Sequence, residues 1–268
     1  MSSALPYEVL CELCLPYPQQ LVVSEHLWSF QDRDPFEFVT GPLIPCVAAH
    51  YRNENLLAQS LSHHLGMLAS TPCAPRYFAG VANHDSLPCP ADVAECLLTA
   101  FVLLPGSVPF LYSGTEWDCA VATNLEFGSF ELAQEVPAQG LLLFNHRPVT
   151  VDESRLTAFT AFWSVLLQLR RSLGTAVMPA SSLQQVRRSG ALVRFSVGAV
   201  EIVVNTGAEP ARTDASNDSF GFMLGTRDFS FDGFQLTLAP RSTVVITPAE
   251  CQLPTGMSDA FRCLKGFS

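Results

Sequence analysis

The chain has 268 residues, of which 48% are hydrophobic and 15% charged, so it can form a sizeable core and is not composed like a disordered protein. Its formal net charge of -10 at pH 7 argues against nucleic acid and anionic membrane surfaces as partners. No apolar stretch is long enough to span a bilayer and no signal peptide is recognisable, so we expect a cytoplasmic protein with no membrane partner.

The first part of the chain alternates apolar runs, typical of strands, with stretches of helical periodicity. Strands are predicted at 21–23, 43–49, 77–82 and 108–112, and helices at 55–69, 92–104 and 152–173. The polar stretch 29–42 is predicted to be a loop. Such alternation predicts parallel strands and an α/β fold. Four strands cannot close a (β/α)8 barrel, which needs eight strands and about 250 residues.

The second part of the chain changes to short β-rich runs separated by Gly, Pro, Asn and Asp. The runs cover 192–197, 201–205, 221–224, 234–239 and 243–247. They predict an antiparallel all-β sandwich with no helix. We therefore expect an α/β domain over 1–175, a β domain over 186–250 and a tail over 251–268.

Polar and aromatic side chains follow three of the four predicted parallel strands. They are Glu25 and Trp28 after the first strand, Asn83, His84 and Asp85 after the third, and Tyr112, Glu116 and Trp117 after the fourth. Because the carboxyl ends of parallel strands share one edge, these groups are expected to meet there. Two carboxylates at one edge suit acid/base chemistry on a glycosidic bond, and the aromatic rings offer apolar faces to sugars.

Several of these residues also have an ordinary structural interpretation. Glu25 taken alone could form a salt bridge, the Asn83–Asp85 run could cap a loop, and Tyr112 and Trp117 could pack under a loop. Cys11 and Cys14 form a CxxC without a second pair, so we expect no metal site and no cofactor. The adjacent pair His63 and His64 lies within a predicted helix and is expected at the surface.

Three segments together resemble the α-amylase family of glycoside hydrolases (family 13). They run from Val22 to Trp28, from Phe78 to Asp85 and from Leu104 to Glu116. The helix ending at Arg171 is similar to the family's last barrel helix, and 238–246 to the closing strand of its C-terminal β domain. The resemblance implies strands five to eight of a (β/α)8 barrel followed by that domain, with an α-glucan or oligosaccharide as substrate.

The resemblance also implies residue roles. Glu25 matches the general acid/base, Asp85 the transition-state-stabilising carboxylate and His84 the histidine that contacts the sugar at the cleavage point. The family's nucleophilic Asp lies in a Gly-x-Arg-x-Asp setting, and the 24 residues before Glu25 contain neither Asp nor Arg. We therefore expect either a truncated chain, a fragment of a longer gene product, or a chain that needs the missing N-terminal barrel half as its partner. The alternatives are an inactive amylase-like module that binds glucan or protein, and an unrelated α/β chain.

Overall fold

Four short strands in the first part of the chain form one parallel sheet. The computed structural model describes residues 23–25, 38–40, 47–48, 50–70, 76–81, 89–111, 153–215, 220–251 and 261–265. The strands are β1 (Val23–Glu25), β2 (Phe38–Thr40), β3 (Arg76–Ala79) and β4 (Ser107–Pro109), adjacent in chain order. All three pairings are parallel, as the alternation of strands and helices predicted.

Three helices of the described ranges accompany this sheet. Helix α1 (Glu54–Ser70) connects β2 to β3, α2 (Ala91–Val102) connects β3 to β4, and α3 (Glu153–Leu173) follows β4 along the chain. The predicted first and last residues of each helix lie within three residues of the observed ones. Each helix buries a stripe of apolar side chains, for example Leu57, Leu61, Leu65 and Leu68 of α1.

Two predictions in this part were wrong. The second strand is Phe38–Thr40, inside the stretch predicted to be a loop, whereas Val47 and Ala48 of the predicted strand are helical and buried. Short apolar runs fit either structure, so their periodicity could not decide between them. His63 is exposed as expected, but His64 is buried because it lies three residues after Leu61 on the apolar stripe of α1.

The second part of the chain contains two antiparallel sheets. Its strands are β5 (Leu183–Ser189), β6 (Leu192–Val197), β7 (Val200–Asn205), β8 (Ala211–Asp214), β9 (Phe220–Gly225), β10 (Phe229–Phe231), β11 (Gln235–Leu238), β12 (Ser242–Pro248) and β13 (Arg262–Lys265). The six-stranded sheet has the order β13-β9-β12-β7-β6-β5, and the three-stranded sheet the order β10-β11-β8. An α/β part followed by an antiparallel β part is therefore confirmed.

The tail expected over 251–268 is wrong for Arg262–Lys265. These residues form β13, an outer strand of the six-stranded sheet, which pairs with β9 through Leu264 and Met223. Strand β5 begins at Leu183, three residues before the expected start of the β domain. Strand β5 carries mostly polar side chains and β13 has only four residues, so neither stands out in the sequence as an apolar run. The boundary between the two domains stays a prediction.

The six-stranded sheet is buried on both faces. One face contributes residues such as Phe195, Ile202 and Val245 to a core that also contains buried side chains of all three helices. The other face packs on the three-stranded sheet through a smaller core that includes Met223 and Leu236. The helices of the α/β part and the β domain therefore share a single continuous core. No helix in the described ranges has the length and apolar character needed to cross a membrane.

Candidate functional site

The carboxyl ends of the four parallel strands lie along one edge of their sheet. Glu25 is paired with Thr40, Val39 with Tyr77 and Ala79 with Pro109, so the strands end at nearly the same level. Neighbouring strands are about 4.8 Å apart, which places the ends of β1 and β3 roughly 10 Å from each other. A small molecule bound at this edge could therefore span the ends of neighbouring strands.

Of the eight predicted site residues, one lies in the described part of the chain and seven lie outside it. Glu25 is the last residue of β1 and lies at this edge. The others lie outside the described residues: Trp28, Asn83, His84, Asp85, Tyr112, Glu116 and Trp117. The described chain reaches Val81, four residues before Asp85, and Leu111, one residue before Tyr112. The strands that precede these groups end at a common edge, and the roles of the groups stay predictions.

The ends of β3 and β4 approach each other closely. The amide of Phe110 donates a hydrogen bond to the carbonyl of Ala79 at 3.1 Å. A Cβ added to Gly80 would lie 2.8 Å from the carbonyl oxygen of Phe110 and 2.8 Å from its ring atom Cδ1. Real Cβ atoms do not come so close to backbone oxygen, so this site requires glycine for steric reasons.

Two buried titratable groups lie on the helices rather than at the strand ends. Burial, assisted by the neighbouring His63, lowers the pKa of His64 to about 4. Burial raises the pKa of the Cys96 thiol to about 12. Both groups are therefore neutral at pH 7. Among the residues described here, no three His, Cys, Asp or Glu side chains are grouped in a way that could hold a metal ion.

One buried residue that anchors the amino-terminal end of β4, opposite the candidate edge, was not found from the sequence. Arg170 on α3 is buried and donates hydrogen bonds to the carbonyls of Val102 and Ser107, and to the Ser107 hydroxyl at 2.6 Å. It thereby fixes the turn from α2 into β4. An arginine in the last turn of a helix is usually explained by its favourable interaction with the helix dipole. In the sequence, only the position of Arg170 next to the apolar Leu169 indicated that its side chain is buried.

The fold is similar to that of several solved enzymes. The debranching enzyme from Nostoc punctiforme matches with a TM-score of 0.59 at 15% identity, covering 90% of this chain and 54% of that one. The α-amylase from H. orenii gives 0.57 at 12% identity, covering 90% and 56%. A mutant of trehalulose synthase MutB gives 0.61 at 12% identity, covering 90% and 58%. No family model and no curated protein sequence matches.

These comparisons confirm the resemblance to the α-amylase family in the fold. The chain spans about half the length of the structures it matches. Similarity at 12–15% identity shows the fold and does not transfer an activity. The chemistry must therefore be argued from the residues of this chain.

Proposed function

We propose that this chain provides the acid/base and transition-state-stabilising half of a retaining α-glucan-active site. The observation that carries the proposal is the position of Glu25 at the end of β1, on the sheet edge at which β3 also ends. The fold neighbours support it: the Nostoc punctiforme debranching enzyme was soaked with acarbose, and AmyP was crystallised in complex with maltose. The four strands would then be strands five to eight of a (β/α)8 barrel.

In this proposal each residue has a defined task. Glu25 donates a proton to the glycosidic oxygen as the bond breaks and then accepts a proton from the incoming water or sugar hydroxyl. Asp85 stabilises the positive charge that develops on the sugar ring, and His84 and Asn83 hydrogen-bond to the same sugar. The remaining predicted residues bind neighbouring sugar units through aromatic faces and one carboxylate: Trp28, Tyr112, Trp117 and Glu116.

The nucleophile of a retaining mechanism is missing from the part of this sequence where the family has it, a Gly-x-Arg-x-Asp segment before the acid/base. A retaining mechanism needs a second carboxylate about 5–5.5 Å from the acid/base, and no Asp precedes Glu25. We propose that an N-terminal barrel half contributes it. The same observation favours a second function, in which the chain binds glucan or a protein without cleaving any bond.

An external nucleophile separates these two functions with the chain as it is. Azide is small enough to occupy the place of a missing carboxylate. With methyl α-maltotrioside, azide nitrogen would attack the anomeric carbon, the bond to the methoxy oxygen would break, and Glu25 would protonate that oxygen, which is a poor leaving group without the proton. The products are β-maltotriosyl azide, which is detected by mass spectrometry, and methanol.

The expected result is formation of β-maltotriosyl azide at a rate that falls about 100-fold in Glu25→Gln, since general acid catalysis contributes roughly that factor or more. Asp85→Asn should lower the rate by about 100-fold or more, through lost charge stabilisation. The control Glu153→Gln changes an exposed carboxylate in the first turn of α3 and should leave the rate unchanged. Binding of the trioside without any azide product would support the binding module instead.

A further inference from the structure

Phe110 occupies an unusual place at the end of β4. The neighbouring Leu111 packs against the core that the helices share with the β domain, whereas Phe110 is 37% exposed and is not part of that core. Because successive side chains along an extended chain point to opposite faces, the Phe110 ring lies on the face of the sheet away from the helices. That face would be the interior of a barrel.

Gly80 at the end of β3 holds this ring against the same face. Ala79 and Val81 on either side of Gly80 are buried in the helix-side core, so the side-chain position of Gly80 points the other way. A Cβ there would meet both the ring and the carbonyl of Phe110 at 2.8 Å. The absence of a side chain at Gly80 thus lets the Phe110 ring lie directly on the β3 backbone.

We propose that Phe110 is a substrate-contacting residue, and that Gly80 is the positioning residue that seats it. The ring would form an apolar wall for the C–H face of one glucose unit of an α-glucan, beside the edge where Glu25 lies. This assignment rests on the proposed function. It adds a binding contact from β4 that does not depend on residues outside the described part of the chain.

The test is calorimetric binding of maltoheptaose to the full chain, with thermal unfolding measured on every variant. Phe110→Leu keeps an apolar side chain but removes the flat ring, and should weaken binding about tenfold, as for a central contact residue. Phe110→Tyr restores the ring and should restore affinity. Gly80→Ala displaces the Phe110 carbonyl and ring, and should also weaken binding. Gly66→Ala, with open space around its Cβ, is the matched control.

Each outcome bears on the proposal. Weaker binding in Phe110→Leu and Gly80→Ala, with recovery in Phe110→Tyr, supports it. If Phe110→Leu shifts only the melting temperature and binds maltoheptaose like the original chain, Phe110 is structural and the inference is wrong while the proposed function stands. If the original chain itself binds no maltoheptaose, both the inference and the proposed function are overturned.

Discussion

The hydroxyl of Thr243 on β12 donates a 2.7 Å hydrogen bond to the carbonyl of Cys96 on α2 and lies 3.3 Å from its Sγ. Cys96 Sγ also lies 3.9 Å from the carbonyl of Asn205 at the end of β7. This buried group of polar atoms connects the α/β part of the chain to the β domain. Unsatisfied polar groups in such a place are costly, so the contact ties the folding of the two parts together.

The first prediction concerns that connection. Thr243→Val removes the donor while keeping the side-chain volume, and should lower the free energy of unfolding by about 1–3 kcal/mol. Urea denaturation followed by circular dichroism measures the change. Thr237→Val, at a half-buried position on β11, is the control and should change stability by less than about 0.5 kcal/mol. Equal effects of the two substitutions would show that the Thr243–Cys96 contact contributes nothing specific.

The second prediction concerns the reactivity of Cys96. Burial raises the pKa of its thiol to about 12, so almost no thiolate, the reactive form, is present at pH 8. Iodoacetamide should label Cys96 only at the rate at which the protein unfolds, whereas the half-buried Cys263 should be labelled faster. Peptide mapping by mass spectrometry distinguishes the two. Rapid labelling of Cys96 in the native protein would contradict its described environment.

The third prediction concerns acid stability. The pKa of His64 falls from 6.5 in the unfolded chain to about 4 in the folded protein, because burial opposes its charged form. The unfolded state therefore binds the proton more tightly, and stability is lost as the pH falls from about 6.5 towards 4. The pKa difference corresponds to about 3 kcal/mol. His64 also packs edge-on against Phe101, with ring centroids 6.2 Å apart, so a charged imidazole would be placed between α1 and α2.

Unfolding measured between pH 7 and pH 4 checks this expectation. His64→Leu should flatten the fall in stability over that range, whatever its effect at pH 7. His63→Gln changes the exposed neighbour and should preserve most of the fall. A His64→Leu variant that loses stability with acid as steeply as the original chain would contradict the assignment.

The fourth prediction compares two adjacent arginines on α3. Arg170 is 8% exposed and donates to Val102, Leu104 and Ser107, whereas Arg171 is exposed. Arg170→Ala should destabilise the protein by about 3 kcal/mol, because it removes several hydrogen bonds from a charged donor to buried carbonyls. Arg171→Ala should cost less than about 0.5 kcal/mol. Thermal unfolding of both variants is the measurement, and comparable losses would argue against the anchoring role of Arg170.

Elements with a strong pattern were predictable from the sequence. The periodicity of α3 and the alternating run Leu192–Val197 each gave the element with its ends nearly in place. The missed strands are short, such as Phe38–Thr40 and Phe229–Phe231, or carry mostly polar side chains, as β5 does. Three or four residues do not show a period, and their strand structure comes from pairing with neighbours.

The candidate site was predictable only in part for a related reason. The apolar segment before Glu25 predicted a strand that ends close to it, and Glu25 is the last residue of β1. That the groups following β3 and β4 meet Glu25 at this edge stays a prediction. The contact between Gly80 and Phe110 depends on the register of β3 against β4, which a sequence does not encode locally. The bonds from Arg170 to the α2–β4 turn depend on how two distant elements pack.

The most direct test of the central claim is the distance between the carboxyl groups of Glu25 and Asp85, measured crystallographically in the chain bound to maltoheptaose. Both groups are proposed to act on one sugar, so we predict a separation of roughly 5–9.5 Å with the glucan between them. A separation of more than about 10 Å, or a glucan bound away from both carboxylates, would contradict the account.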